Sequence, residues 1–131
     1  MAFMIHSTDD HRVPHMEYHP CGAIQPKIGL ALVMVNGNLA IATGATKPTY
    51  ICHRQDDAAR TAGDIIPVIR VQADTVFETT FAVAASTAKV GNKVTLHTDG
   101  MQVTATTENG VAEIVAMDGT AAGDKCWVRF V

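Results

Sequence analysis

The sequence predicts an all-β protein: a small β-barrel or sandwich of about eight or nine short antiparallel strands, with an extended N-terminal arm. Three observations carry this prediction. First, one phrase recurs three times: a small or apolar residue, glycine, Asp or Asn, then a strand. It occurs at Ala62-Gly63-Asp64, Val90-Gly91-Asn92 and Ala122-Gly123-Asp124. Glycine reaches positive φ without steric cost, and Asp or Asn can bond the nearby backbone. Second, Asn36-Gly37, Asp99-Gly100 and Asn109-Gly110 separate apolar or alternating runs, which is the strongest short hairpin signal. Third, no amphipathic segment of helical length lies between these runs, so a βαβ rhythm is absent.

The elements follow in order. Residues 1–28 differ from the rest, holding four of the six histidines and the prolines Pro14, Pro20 and Pro26. Prolines interrupt helices and push their predecessors toward extended backbone, so an arm is expected here, ordered against something else. Residues 29–131 form the predicted β domain. Leu30 to Val35 and Asn38 to Thr43 flank the Asn-Gly turn, Thr49 to His53 is a short strand, and Gln55 to Arg60 suits one helical turn. Ile65 to Val71 and Val76 to Phe81 read as strands, with Pro67 placing the first at an edge or a bulge. Val83 to Ala88 is a connector or short helix. Lys93 to Thr98 and Met101 to Thr106 form the cleanest alternation, with Val94, Leu96, Met101, Val103 and Ala105 on one side. Val111 to Met117 and Lys125 to Val131 complete the set. A barrel is preferred to an open sandwich, because closure removes exposed sheet edges.

Composition bounds the function classes. The 131 residues suit one domain, and 47% hydrophobic against 18% charged residues suits a packed core. A net charge of -3 without any Lys/Arg run argues against nucleic acid as a partner. No apolar stretch approaches the ~20 residues of a membrane helix, and the first residues lack the pattern of a secretory signal. Three widely spaced cysteines (Cys21, Cys52, Cys126) suit reduced thiols better than a disulfide framework.

Candidate chemistry is sparse. His11, His15 and His19 lie at i, i+4 and i+8, a metal-ligand spacing on a helix, but Pro14 and Pro20 oppose that helix, so no metal site is predicted. Cys52 and His53 are strand neighbours and point to opposite faces, unlike a nucleophile and its base. Asp56-Asp57 suits a solvated turn. No nucleophile-elbow serine or phosphate-cradling loop occurs, and His53 and His97 stand alone. The expectation is a protein that is not an enzyme, with no catalytic residue and no cofactor. Trp127 and Arg129 share one face of the last strand, a pairing that can mark a binding hot spot or a half-buried closure of the fold.

From Pro26 onward the chain resembles a known family. The stretches Pro26-Lys27-Ile28-Gly29-Leu30-Ala31-Leu32, Asn36-Gly37-Asn38-Leu39-Ala40, Thr46 to Ile51, Ile66 to Val71 and Val90 to Gly100 look like small head proteins of tailed bacteriophages. Those resemble the decoration, or cement, proteins that coat the outside of the capsid. The resemblance implies a structural virion protein, made in the bacterial cytoplasm. It would bind the major capsid protein on the assembled head as a homo-trimer or other small oligomer, and stabilise the shell against internal DNA pressure. The contacts then expected are the arm residues Arg12, Met16, Tyr18 and Pro20, with Trp127 and Arg129, touching the shell or a neighbouring copy. The competing class is a β-rich head-fibre or binding module for a host glycan or protein, which clustered exposed aromatics would favour. A metal-dependent small barrel enzyme is the third, weakest reading.

Overall fold

A computed structural model describes residues 2–8 and 15–131. Among these the architecture is ten antiparallel strands and no helix. The strands are β1 (Met4–Ser7), β2 (Met16–Pro20), β3 (Ala31–Val35), β4 (Asn38–Ile41), β5 (Tyr50–Cys52), β6 (Ile65–Arg70), β7 (Val76–Thr80), β8 (Lys93–Val94), β9 (Ala112–Met117) and β10 (Lys125–Phe130). They form two five-stranded sheets, ordered β1-β7-β10-β9-β8 and β2-β6-β5-β3-β4. The all-β expectation holds as a sandwich. The preferred closed barrel does not form. The nearest approach to closure is in the second sheet, where Cys21 bridges to Leu39 and the Gly22 amide donates to the Leu39 carbonyl at 2.9 Å. Edges are instead managed by layering, and on one flank Gly44 and Leu96 exchange two backbone bonds that tie the layers together.

The recurring glycine phrase has one structure in all three copies. Residue i of each turn accepts a bond from the amide of residue i+3: Thr61 from Asp64, Lys89 from Asn92, Ala121 from Asp124, at 3.0–3.1 Å. The glycine sits at i+2 with φ of +96°, +94° and +89°. The residue before it is not in the positive-φ region, which makes each a type II turn. The glycine amide then donates to a buried residue on the facing segment (Cys21, Ile114 or Phe81), whose own amide returns a bond to the Asp or Asn carbonyl. This is a glycine bulge fused to the turn. The side chains of Asn92 and Asp124 also accept from the amides of Lys89 and Ala121, the physical reason for Asn or Asp there. The hairpin at Asn36-Gly37 has φ of +50° and +83°, as a type I′ turn requires.

Two cores result, because β5 and the start of β3 in the second sheet are buried on both faces. Between the sheets lie Ala31, Ile51, Phe77, Val94, Ile114, Val128 and Phe130, joined by Phe3, whose ring packs edge-on against Phe130 at 5.2 Å. On the far face of the second sheet a separate cluster of Cys21, Leu30, Leu32, Leu39, Tyr50, Cys52, Ile66 and Val68 is packed against Ile24 and Met101. The segment 53–60 has no helical turn. It is bonded instead to the chain before β3: Asp56 N to Pro26 O, Arg60 N to Ile24 O, and the Gln25 amide to Asp56 O. Asp56 in turn pairs with both Arg54 and Arg60.

Other expectations shift in instructive ways. Met101 to Thr106 does not form a strand, although its hairpin with residues 95–97 is made by isolated bonds such as His97 N to Gln102 O at 2.9 Å. Pro67 was expected at an edge or bulge, yet β6 runs inside the sheet, between β2 and β5. Its missing donor costs little there. The Pro67 carbonyl, and with it the nitrogen, faces His53, one residue past the end of the three-residue β5. In the described parts of the N-terminal segment, two strands lie on the outer edges of this chain's own sheets, β1 on β7 and β2 on β6. No helix among the described residues is long and apolar enough to cross a membrane.

Since nothing crowds the Cβ position of Gly63, Gly91 or Gly123, alanine at any of them is penalised by φ alone. Each substitution is expected to lower unfolding free energy by roughly 1–2 kcal/mol in urea titrations. An unchanged midpoint at all three positions would refute the turn assignment.

Candidate partner-binding face

The exposed surface of the second sheet is built by β2 and β6. Their antiparallel register pairs Met16 with Ile69, Tyr18 with Pro67, and Pro20 with Ile65. Because side chains alternate along a strand, these six residues share one face. That face is open: Tyr18 is 64%, Ile65 55% and Met16 44% exposed. The Tyr18 hydroxyl is turned onto Met16 Sδ at 3.5 Å. Next to it lies an apolar cleft of about 190 Å³, lined by Met4, Ile5, Ile28, Ile51, His53 and Ile69 among others.

The opposite face of the same strands collects all their charge. Arg70 grips Glu17 with two bonds, Nε to Oε2 at 2.7 Å and Nη2 to Oε1 at 3.1 Å. Its Nη2 also donates to the buried Tyr50 hydroxyl at 3.0 Å, and its guanidinium lies 5.0 Å from the Tyr50 ring centre. His19 Nε2 is 2.9 Å from Glu17 Oε1, and its ring is 4.8 Å from that of Tyr50. The Arg70 bond, then the His19 bond, holds the Glu17 carboxyl below the usual carboxylate range. A two-pronged arginine–carboxylate bond carries geometry as well as energy. Here it fixes which side chains of β2 turn inward, and therefore which turn out.

Trp127 and Arg129 lie elsewhere, on the outer face of the first sheet. β10 is central there, and its alternate residues Cys126, Val128 and Phe130 fill the core. Trp127 stands opposite Glu78 and Ala116, half-buried, with the His6 ring edge-on at 5.8 Å. It lines a shallow depression of about 390 Å³ with His6, Ser7, Val76, Val115 and Ala116. Its Nε1 is buried and has no partner among the described residues. Arg129 Nε donates to Glu113 Oε1 at 3.0 Å.

Of the residues singled out in the sequence, Met16, Tyr18 and Pro20 therefore meet on one face, and Trp127 and Arg129 on another. Arg12 lies outside the described residues, as does His11. His6 and His19 belong to different sheets, and the described residues hold no group of three potential metal ligands. Sequence reading missed Ile65, Pro67 and Ile69, which complete the apolar face. Ile65, Pro67 and Ile69 alternate with the buried Ile66 and Val68, but a run in which both faces carry apolar residues shows no hydrophobic period. The alternation of Met16-Glu17-Tyr18-His19 did signal a strand, and the flanking prolines obscured it.

The three cysteines are free and buried. Burial pushes the Cys126 thiol up to about 12 and raises Cys21 and Cys52 as well. The reactive thiolate is therefore suppressed at neutral pH. The chain matches no protein-family model and no curated protein.

Two outcomes follow. Native protein at neutral pH should show no thiol reactive toward a soluble disulfide reagent, and three after denaturation; a fast-reacting thiol in the native state would contradict the burial of all three. Because Glu17 titrates lower in the folded than in the unfolded chain, its contribution is present above the ordinary glutamate pKa and lost as pH falls through the folded value. Glu17→Gln should accordingly be less stable than the parent near neutrality and converge on it in acid, read as paired melting curves across pH. Parallel curves would exclude the Arg70–Glu17 bond as the source.

Proposed function

We propose that this protein is a structural decoration protein, binding the outer surface of an assembled tailed-bacteriophage head and stabilising it against internal DNA pressure. The major capsid protein is its partner, and the exterior of the virion its site of action. The observation that carries the reading is the uncharged, solvent-facing surface built on Met16, Tyr18 and Pro20, residues of the very arm from which partner contact was expected. The resemblance of residues 26–100 to small phage head proteins supplies the class. A rigid β body with an exposed apolar face suits attachment rather than turnover.

The physics of such a role is additive. Each copy gives up translational freedom on docking, and only the surplus of contact energy over that cost appears as affinity. Many identical copies on a regular lattice, each touching more than one neighbour, convert modest contacts into tight coating through effective concentration. The face carried by β2 would meet the shell or a neighbouring copy, and the outer face of β10, with Trp127 and Arg129, offers a second contact surface.

Electron microscopy of purified protein mixed with mature, empty heads tests this. Regularly spaced density on the outer surface is the expected result. Bare shells at saturating protein would sink the reading. Deleting the first 20 residues is a poor variant for such work, since it removes β1, β2 and the core residue Phe3 together. Point substitutions at exposed residues keep the fold.

A further inference from the structure

We infer that the depression beside Trp127, on the outer face of the first sheet, is a binding site for a neutral saccharide. The decoration reading leaves the occupant of this surface unnamed. The sugar site goes beyond that reading, because it belongs to the free chain and needs no shell.

The site is built around one strand. Trp127 stands on the central β10, and Lys125 and Arg129, two residues to either side, share its face. Each of these cations meets a carboxylate from a neighbouring strand. Lys125 Nζ is 3.8 Å from Glu78 Oε2 on β7, and Arg129 Nε is 3.0 Å from Glu113 Oε1 on β9. Glu78 is also the residue paired with Trp127 across the ladder. The indole is thus flanked by two ion pairs, whose cations are 58% and 40% exposed. β1 adds His6, edge-on to the indole at 5.8 Å, and Ser7. Val76, Val115 and Ala116 line the rest of the depression, which holds about 390 Å³.

Three features of this set select a sugar. The apolar part is an aromatic ring with small aliphatic neighbours. A pyranose presents a face of C–H groups, and their positive hydrogens are attracted to the electron-rich face of an indole. The polar part supplies acceptors in Glu78 and Glu113, donors in Lys125 and Arg129, and groups of either kind in His6 and Ser7. A ring of hydroxyls needs that mixture, since every hydroxyl both donates and accepts. Finally, the charges cancel, two cations against two carboxylates, each already paired. A charged ligand would be drawn by one member of a pair and opposed by the other; a neutral one leaves both pairs intact. The volume lies within the ~300–1,000 Å³ common to small-molecule sites, and suits a mono- or disaccharide.

Packing alone does not account for the indole. Its Nε1 is buried without a partner among the described residues, and an unmet donor costs free energy that a phenyl ring would not. Phenylalanine would close the sheet surface as well; the broader indole is the better platform for a sugar face.

Trp127 is the only tryptophan of the chain, so its fluorescence reports the site directly. The full chain, without shells, is titrated with glucose, galactose, mannose, N-acetylglucosamine, maltose and lactose to the limit of their solubility. At least one should give a saturable change in emission. The charged sugars glucuronic acid and glucosamine should bind less tightly than the best neutral one. For that sugar, Glu78→Gln should weaken binding about tenfold with an unchanged melting curve. Trp127→Phe should also weaken it, read by saturation-transfer NMR because the reporter is gone, without melting earlier than the parent. Val35→Ser, exposed on the hairpin of the other sheet, should bind as the parent does. No saturable change with any of the neutral sugars overturns the inference, as does a tighter fit to a charged sugar, or binding indifferent to both Glu78→Gln and Trp127→Phe. Electron microscopy of heads separates this site from the decoration reading: coated heads without sugar binding remove the site and keep the function, and sugar binding with bare heads does the reverse.

Discussion

The register of β2 against β6 decides which side chains this protein shows to its surroundings, and the Arg70–Glu17 ion pair fits the observed register. Side chains alternate with a period of two, so a slip of one residue would exchange the faces of β2. Met16 and Tyr18 would then turn inward beside Tyr50, and Glu17 would turn out, away from Arg70. That exchange would break the bonds of Arg70 to Glu17, made in the observed register beside the Tyr50 hydroxyl. Partly exposed ion pairs add little net free energy. Their value here lies in orientation, since a two-pronged bond accepts one geometry. Apolar display on one face and neutralised charge on the other are two consequences of the same constraint.

That constraint works because the second sheet is buried on its far side as well. Its strands carry apolar residues on both faces, one set toward the first sheet and the other around a core of its own. The first sheet covers only part of the near face, the part with Ala31 and Ile51, and leaves the surface of β2 and β6 in solvent. The described N-terminal residues thus become part of the body. Phe3 enters the main core, β1 and β2 cap opposite sheets, and Met16, Tyr18 and Pro20 stand on a strand paired with β6. A contact surface presented this way loses less conformational entropy on binding than a free tail would.

The chemistry of the molecule points the same way. The thiols are buried and protonated, the carboxylates Glu17, Asp56 and Glu113 are engaged by arginines, and the acid and basic groups that meet do so as ion pairs on the sheet surfaces. The surface also holds an uncharged strand face, and a second face with Trp127, whose indole nitrogen has no partner among the described residues.

How much of this the sequence carries depends on the range of each interaction. Turns are local, and they were legible. Gly63, Gly91 and Gly123 need positive φ whatever surrounds them, and Asn36-Gly37 dictates its own hairpin. Strand identity was legible in Lys125 to Phe130, where alternation survives, and in Tyr50 to Cys52, which is buried throughout. It failed in Met101 to Thr106, whose alternation makes only isolated bridges, and in residues 16–20, where prolines masked a strand that alternates plainly. The placement of Pro67 inside a sheet and the choice of an open sandwich over a barrel were set by tertiary structure. So was the meeting of Met16 and Tyr18 with Ile65 and Pro67. Each depends on which strands become neighbours, and that is settled by pairing and packing between residues far apart in the chain, which no local pattern encodes.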